Sequence, residues 1–452
     1  MPRILHILII LAAMLTAGCN SMKDNLGRFD SYIERGDISG AGKFSASKVK
    51  GGRSPSNNDV IWMLQTASIK RLEKDYRLSN EYFDRAEGLS RYFTEKSDKN
   101  MEHLWAGVTN DTGLAYKGAI YDGIMLNTYK AINYMVLGEN DVARVEFNRA
   151  IDRQRRAKEY FDAELAKKRE KMKAANPQGY ESAASGDNMS ILYQHYPELQ
   201  NFEAYSDFIN PFATYMAGLF FYLEGDYGKA EFLMKQSAGM AGDNPYILED
   251  LRLIEANEPV EDTVWVVFEN GLGPVKEEFR IDIPLFIATN QVQYVGIALP
   301  KLRTRRQACP YLIVNDGEKN YNTAALGSME RVIQTEFHKE YTEIFIRAVV
   351  SSTAKGVAQY AMYKNEGSTG AMLMALYAFA TTAADCRIWT MLPNDFQLLR
   401  IKKPASGVLK ITPASGGGQG SRSLEIPAKG NTIVYIRMIG PDVEPVYEII
   451  TF

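Results

Sequence analysis

Cysteine and histidine are scarce in this chain of 452 residues, which has three of the first and four of the second. No CxxC pair occurs, which removes the signal for thioredoxin-like chemistry and for zinc knuckles. His103, His195 and His338 stand in no HExxH and in no Cys/His pair at metal-ligand spacing. His338 precedes Glu340 on an expected helix, where residues two apart do not share a face. No GxSxG elbow surrounds Ser351 and Ser352. The glycine-rich run 416–421 lacks the GK[ST] ending of a phosphate cradle, and Asn270-Gly271-Leu272-Gly273-Pro274 leads from strand to strand, not from strand to helix. Both read as turns. Excess charge of one sign is also missing: 52 Lys and Arg face 55 Asp and Glu, a net −3 that gives no reason to expect nucleic acid. No catalytic residue, cofactor, metal or small-molecule substrate is expected. Carboxylate pairs of the glycosidase kind carry no signal here, because only three-dimensional distance reveals them.

Long apolar runs are absent too. Ile4 to Leu15 spans twelve residues and Gly370 to Ala384 fifteen, against the roughly 20 that a spanning helix needs. The first run follows Arg3 and precedes Leu15-Thr16-Ala17-Gly18-Cys19, small residues before a cysteine. This stretch resembles the lipobox of bacterial lipoproteins, with Thr16 where Leu is usual and Leu15 one step earlier. The resemblance implies a signal peptide over 1–18, removed before Cys19, and a covalent lipid on Cys19 as the membrane anchor. Asn20, in place of the Asp of inner-membrane retention, points to the outer membrane, facing the periplasm. Removing 1–18 deletes Arg3 and no acidic residue, taking the charge from −3 to −4. In that oxidising compartment Cys309 and Cys386 could form a disulfide or stay as two buried thiols, and both readings stand at this stage.

What is present is a recurring helical pattern. The stretch Ala131 to Ala150 reads as helix, tight turn, helix, with Ala131, Tyr134, Gly138, Ala143, Phe147 and Ala150 at packing positions. Gly218, Phe221, Gly225, Ala230 and Met234 repeat the spacing. Weaker copies surround Gly36 and residue 74, the latter with Ser79, Phe83 and Ala86. This is the skeleton of a tetratricopeptide (TPR) repeat, a unit that stacks on its neighbours and commonly binds other proteins. The turns at 36, 74, 138 and 225 are spaced unevenly against a period of about 34, so insertions separate the helix pairs. A long charged helix is expected to run to Ala175, with i,i+4 pairs such as Glu164–Lys168. Asn210-Pro211 marks the start of another.

Composition shifts at Glu258-Pro259. Strands are expected at Thr263–Phe268, Glu277–Ile283, Val292–Leu299, Gln397–Lys402, Val408–Thr412, Ser423–Ile426, Thr432–Met438 and Val446–Thr451. Helices are expected over Met329–Lys364 and Gly370–Ala384. Strand, helix, strand in that order argues for an α+β arrangement with a largely antiparallel sheet. The expected organisation is multidomain α+β: a signal peptide over 1–18, an all-α TPR-like solenoid over 19–258, and an α+β domain over 259–452.

YSDFINPF (205–212) with Gly225-Asp226-Tyr227, NGLGPVKEEFRIDIPL (270–285), VGIALPKL (295–302) and ADCRIWTMLPNDFQLLRI (384–401) together resemble an uncharacterised family of gram-negative lipoproteins. Its members carry TPR-like repeats before a C-terminal domain. The position of Cys386 commonly holds a hydroxyl residue in that family, so a disulfide through Cys386 is not implied family-wide. The resemblance implies a cell-envelope lipoprotein and brings no activity. The expected function is a scaffold for other envelope proteins, engaged through a groove on the inner helices. The alternatives are an envelope enzyme acting on cell-wall glycan or peptide, and a component of an oligomeric export pore.

Overall fold

The computed structural model describes residues 22–52, 54–104, 114–175, 177–184, 186–199, 204–205, 208–242, 244–286, 292–352, 355, 382–414 and 420–452. Cys19 lies outside them, as does all but the last three residues of the helix expected at Gly370–Ala384; those three are not helical. Helices fill the chain up to Glu255 and strands begin at Thr263. The helices are α1 (22–34), α2 (Ile38–Lys48), α3 (Asp59–Leu72), α4 (Tyr76–Leu104), α5 (Ile120–Val136), α6 (Asn140–Ala175), α7 (Pro177–Ala183), α8 (Gly186–His195), α9 (Pro211–Leu223), α10 (Tyr227–Ala241) and α11 (Pro245–Glu255). A further helix, α12 (329–352), lies among the strands. Two short helices, α7 and α8, thus stand where only a break was expected after Ala175.

Four helical hairpins share one turn. Gly36, Lys74, Gly138 and Gly225 have φ of 72°, 61°, 73° and 80°. The N–H of the next residue reaches the carbonyl five residues back: Asp37 to Tyr32 and Asp75 to Lys70 at 2.9 Å, Glu139 to Tyr134 and Asp226 to Phe221 at 2.8 Å. This is the left-handed helix cap, which glycine adopts without steric cost. Five residues past each turn stands a small side chain with no exposure: Ala41, Ser79, Ala143 and Ala230. Four residues further come Ser45, Phe83, Phe147 and Met234, equally buried. Small residues let the second helix approach the first closely. Consecutive helices pack side by side from α2 to α6, then α6 on α9, α9 on α10 and α10 on α11.

The strands form two main sheets and a separate ribbon. A five-stranded sheet runs in the order β11 (Val446–Thr451), β10 (Thr432–Met438), β1 (Thr263–Asn270), β7 (Asp395–Lys402), β6 (Ala324–Ser328). Only its β1–β10 pairing is parallel. A four-stranded antiparallel sheet has the order β5 (Asn320–Asn322), β4 (Leu312–Asn315), β8 (Val408–Pro413), β9 (Arg422–Glu425). β2 (Val275–Phe286) and β3 (Val292–Arg303) pair only with each other among the described residues.

Why β1 is apolar along its length follows from its two neighbours. Val264, Val266 and Phe268 face the four-stranded sheet, in a cluster with Leu312, Val314, Leu409 and Ile411. Trp265 and Val267 face the helices, in a cluster with Trp62, Tyr129, Tyr215 and Phe220. A strand covered on both faces reads as a continuous hydrophobic run and not as an alternation. The molecule is therefore three layers deep at this point: helices, five-stranded sheet, four-stranded sheet. One hydrophobic cluster spans the change from helices to strands at Glu258-Pro259, running from Met22 to Ile450.

Candidate functional site

Most of the packing residues read from the spacing are buried. Ala131, Ala143, Phe147, Ala150, Phe221, Ala230 and Met234 have no exposure, and Tyr134 is half-buried at the edge of the same core. A Cβ on Gly218 would stand 3.3 Å from the Leu233 side chain and 3.4 Å from Met234, so the pair α9–α10 closes on bare backbone there. Gly138 and Gly225 occupy the turns.

The inner face of the array is not open. Residues 382–394 cross it as an irregular strap. Trp389 donates from Nε1 to the Ser68 hydroxyl at 2.8 Å and meets the rings of Phe83 and Tyr129 edge-on at 5.7 and 5.8 Å. Gln65 donates to the Thr390 hydroxyl at 2.9 Å. Arg387 is held by Asp385 at 2.7 Å and donates to the Asn58 side chain at 3.0 Å and the Leu114 carbonyl at 2.8 Å. Behind the strap the five-stranded sheet covers α9, where Phe212 stacks on Phe396 with centroids 3.7 Å apart. The groove expected to take a partner is thus filled by the chain's own C-terminal half. The cause is legible in α9, which is apolar around most of its circumference and needs cover on two sides; α3 is buried from Asp59 to Ile69 and turns Gln65 and Ser68 to the strap.

Two buried carboxylates pin the sheet to the helices. Glu269 on β1, without exposure, accepts from Tyr435 at 2.5 Å and lies 3.2 Å from Arg437 Nε and 3.8 Å from Arg71 of α3. Arg71 also sits over the Tyr129 ring, 3.9 Å from its centroid. Asp250 of α11 accepts from Tyr215 at 2.7 Å and from Trp265 at 3.1 Å, with Arg400 Nε at 2.8 Å. In both clusters the arginine Nε contact is off the N–H direction, so it is ionic without being a hydrogen bond. Burial lifts the Asp250 carboxyl to about 6, while Arg400 and the two donors pull it down. A void of about 30 Å³ beside Glu269, Arg71 and Glu448 is no larger than a water or two.

A third group of carboxylates meets at the start of α5. Glu336 of α12 accepts from the backbone N–H of Ile120 and Tyr121 at 2.8 and 3.2 Å, capping the helix from outside. Asp122 accepts from Tyr116 at 2.6 Å and from the Ala119 N–H at 2.9 Å. Glu340 pairs with Lys168, and Glu343 with Arg169, tying α12 to α6. Burial raises Glu336 to about 8 and Asp122 to about 6. Each carboxylate is engaged by a group that holds the fold.

The remaining chemistry-bearing residues are separate. Cys309 and Cys386 are both free, which corrects the disulfide reading. Cys309 lies between the two sheets, whereas Cys386 belongs to the strap, and burial lifts their thiols to about 11 and about 12. His338 lies beside Tyr196, ring centroids 6.5 Å apart, with its pKa lowered by burial; His195 ends α8, exposed. His103 falls near the end of α4. Among the described residues no group of three or more His, Cys, Asp or Glu could hold a metal, and no helix is long and apolar enough to cross a membrane.

An open recess lies between α4 and α6. It measures about 530 Å³ and is walled by Asp84, Glu87, Gly88 and Arg91 on α4 and by Arg149, Asp152, Arg153 and Arg156 on α6. Behind this wall Lys130 of α5, 1 % exposed, reaches Asp84 at 2.5 Å and Glu146 at 2.9 Å. Asn127 donates to Glu146 at 2.7 Å and accepts from Arg153 at 2.6 Å, and Arg153 pairs with Glu87. Sequence alone showed α6 only as a charged, solvated helix. The partner charges sit on α4 and α5, so no local pattern reveals the recess. Comparison of the chain with family models, curated proteins and solved structures finds no match.

Proposed function

We propose that this chain is a non-enzymatic cell-envelope lipoprotein, anchored by a lipid on Cys19 to the outer membrane and facing the periplasm. Its helical array is a TPR-like solenoid of irregular spacing, joined to a C-terminal α+β domain, and it serves other envelope proteins as a docking scaffold. The observation that carries this reading is the recurrence of one turn and one packing pattern at residues 36, 74, 138 and 225. Such a stack presents an extended surface by construction. The carboxylates, engaged in holding helices and sheet together, favour binding over catalysis. Because the inner face is covered by the strap and sheet, docking takes place on the surfaces they leave open.

The test is crosslinking in intact cells, followed by mass spectrometry of what the native chain captures and of what a Cys19→Ser variant captures. The reading predicts a defined envelope protein, captured by the native chain and much less by the variant that lacks the lipid. Recovery of nothing above background with several crosslinkers would overturn it.

A further inference from the structure

The α4–α6 recess holds a charge imbalance that its own residues do not cancel. Lys130 and Arg153 neutralise Asp84 and Glu87. At the mouth, Arg149 shares Glu146 with Lys130, and Arg155 and Arg156 share the single carboxylate of Asp152. Arg91 makes no ion pair among the described residues. Among the lining residues four arginines (Arg91, Arg149, Arg153, Arg156) face three carboxylates (Asp84, Glu87, Asp152), a local surplus of one positive charge in a chain whose net charge is −3. The arginines at the mouth are exposed: Arg149 by 52 % and Arg156 by 63 % of their side chains.

Size and shape narrow the occupant. A space of about 530 Å³ is far larger than one phosphate group, and its walls carry both signs, so a small anion would also face Asp84 and Asp152. A peptide can place carboxylates against the arginine forks and its backbone N–H groups toward the acidic wall. Gly88 leaves room for this, because a Cβ there would meet nothing within 4 Å. We propose that the α4–α6 recess docks an acidic peptide segment of a partner protein, with Arg91, Arg149 and Arg156 as its carboxylate contacts. This inference rests on the scaffold reading and names the chemistry of the partner.

The probe is fluorescein-labelled octaglutamate, titrated by anisotropy against the full mature chain carrying Cys19→Ser. Binding is expected, with octalysine inactive and affinity falling as NaCl rises from about 50 to about 500 mM. Arg149→Glu/Arg156→Glu is expected to weaken binding about tenfold or more, because each reversal removes a charge-assisted bond and adds repulsion. Arg91→Glu, at a residue outside the ion-pair network, supplies the same reading should the double variant unfold. Unchanged affinity in the correctly folded variants would overturn the proposal. So would absence of peptide binding, whether alone or with Arg-dependent binding of inorganic phosphate or of phosphatidylglycerol vesicles instead. In cells, a partner captured equally by native and double-variant chains would sink the recess and leave the scaffold standing. Capture of nothing by the native chain would strike the scaffold itself, while in vitro peptide binding would still report on the recess.

Discussion

Glu269 shows how much of this fold depends on single side chains. It stands opposite Arg437 in the parallel β1–β10 register, and the helix-facing side of β1 points it at Arg71. Removing its charge leaves two arginines in the interior with no counterion. Glu269→Gln is therefore expected to destabilise the protein by about 3–5 kcal/mol, read as a fall in the urea midpoint. Glu336 makes stability depend on pH. Burial, with Glu340 and Asp122 nearby, lifts its carboxyl from 4.5 in the unfolded chain to about 8, despite two N–H bonds that favour the charged form. A carboxyl with a raised folded-state pKa binds its proton more tightly in the native state. Its contribution to stability is whole below about pH 4.5 and is lost as pH rises through about 8. Glu336→Gln should flatten that decline between pH 5 and 8 in a series of thermal unfolding curves. An unaltered slope would assign the pH dependence to other groups.

The helical hairpin is the element on which the sequence is most legible, because its requirements are local. A turn residue at positive φ and a small residue five places on can be read off any one copy, and in three of the four a large one follows four places later. Gly138 tests this in isolation. Its φ is 73° and a Cβ would touch nothing within 4 Å, so Gly138→Ala pays only the conformational cost of about 1–2 kcal/mol. Gly88, inside α4 and equally uncrowded, should show the reverse, with Gly88→Ala stabilising by about 0.5–1 kcal/mol. Unfolding midpoints of the two variants, displaced in opposite directions, check the pair. Where the reading of the chain is incomplete, most of the missing information is long-range, with α11 the exception. The short strands β4, β5 and β6 owe their existence to neighbours distant in sequence, and their few residues carry little pattern of their own. α11 follows Asn244-Pro245, the same cap-and-proline signal as Asn210-Pro211, and the expectations above leave it unread. The clusters around Asp250 and Glu269, the strap and the α4–α6 recess join residues 15 to more than 300 positions apart, and nothing in local spacing announces them.

At the scale of the whole molecule, helices and sheets share one interior. The boundary at Glu258-Pro259 marks a change of secondary structure, while the hydrophobic cluster continues across it. The chain's own strap and sheet cover one face of the helical array, and the buried contacts of Trp389, Gln65 and Phe212 require that cover to be permanent. Native-state hydrogen exchange across a denaturant series tests it most directly. Amides of α3, α5 and α9 should exchange only through global unfolding, with the same opening free energy as those of β1 and β10. Exchange of the inner helices through a smaller opening that leaves β1 and β10 protected would mean that the sheet lifts away and the groove opens, contradicting the account.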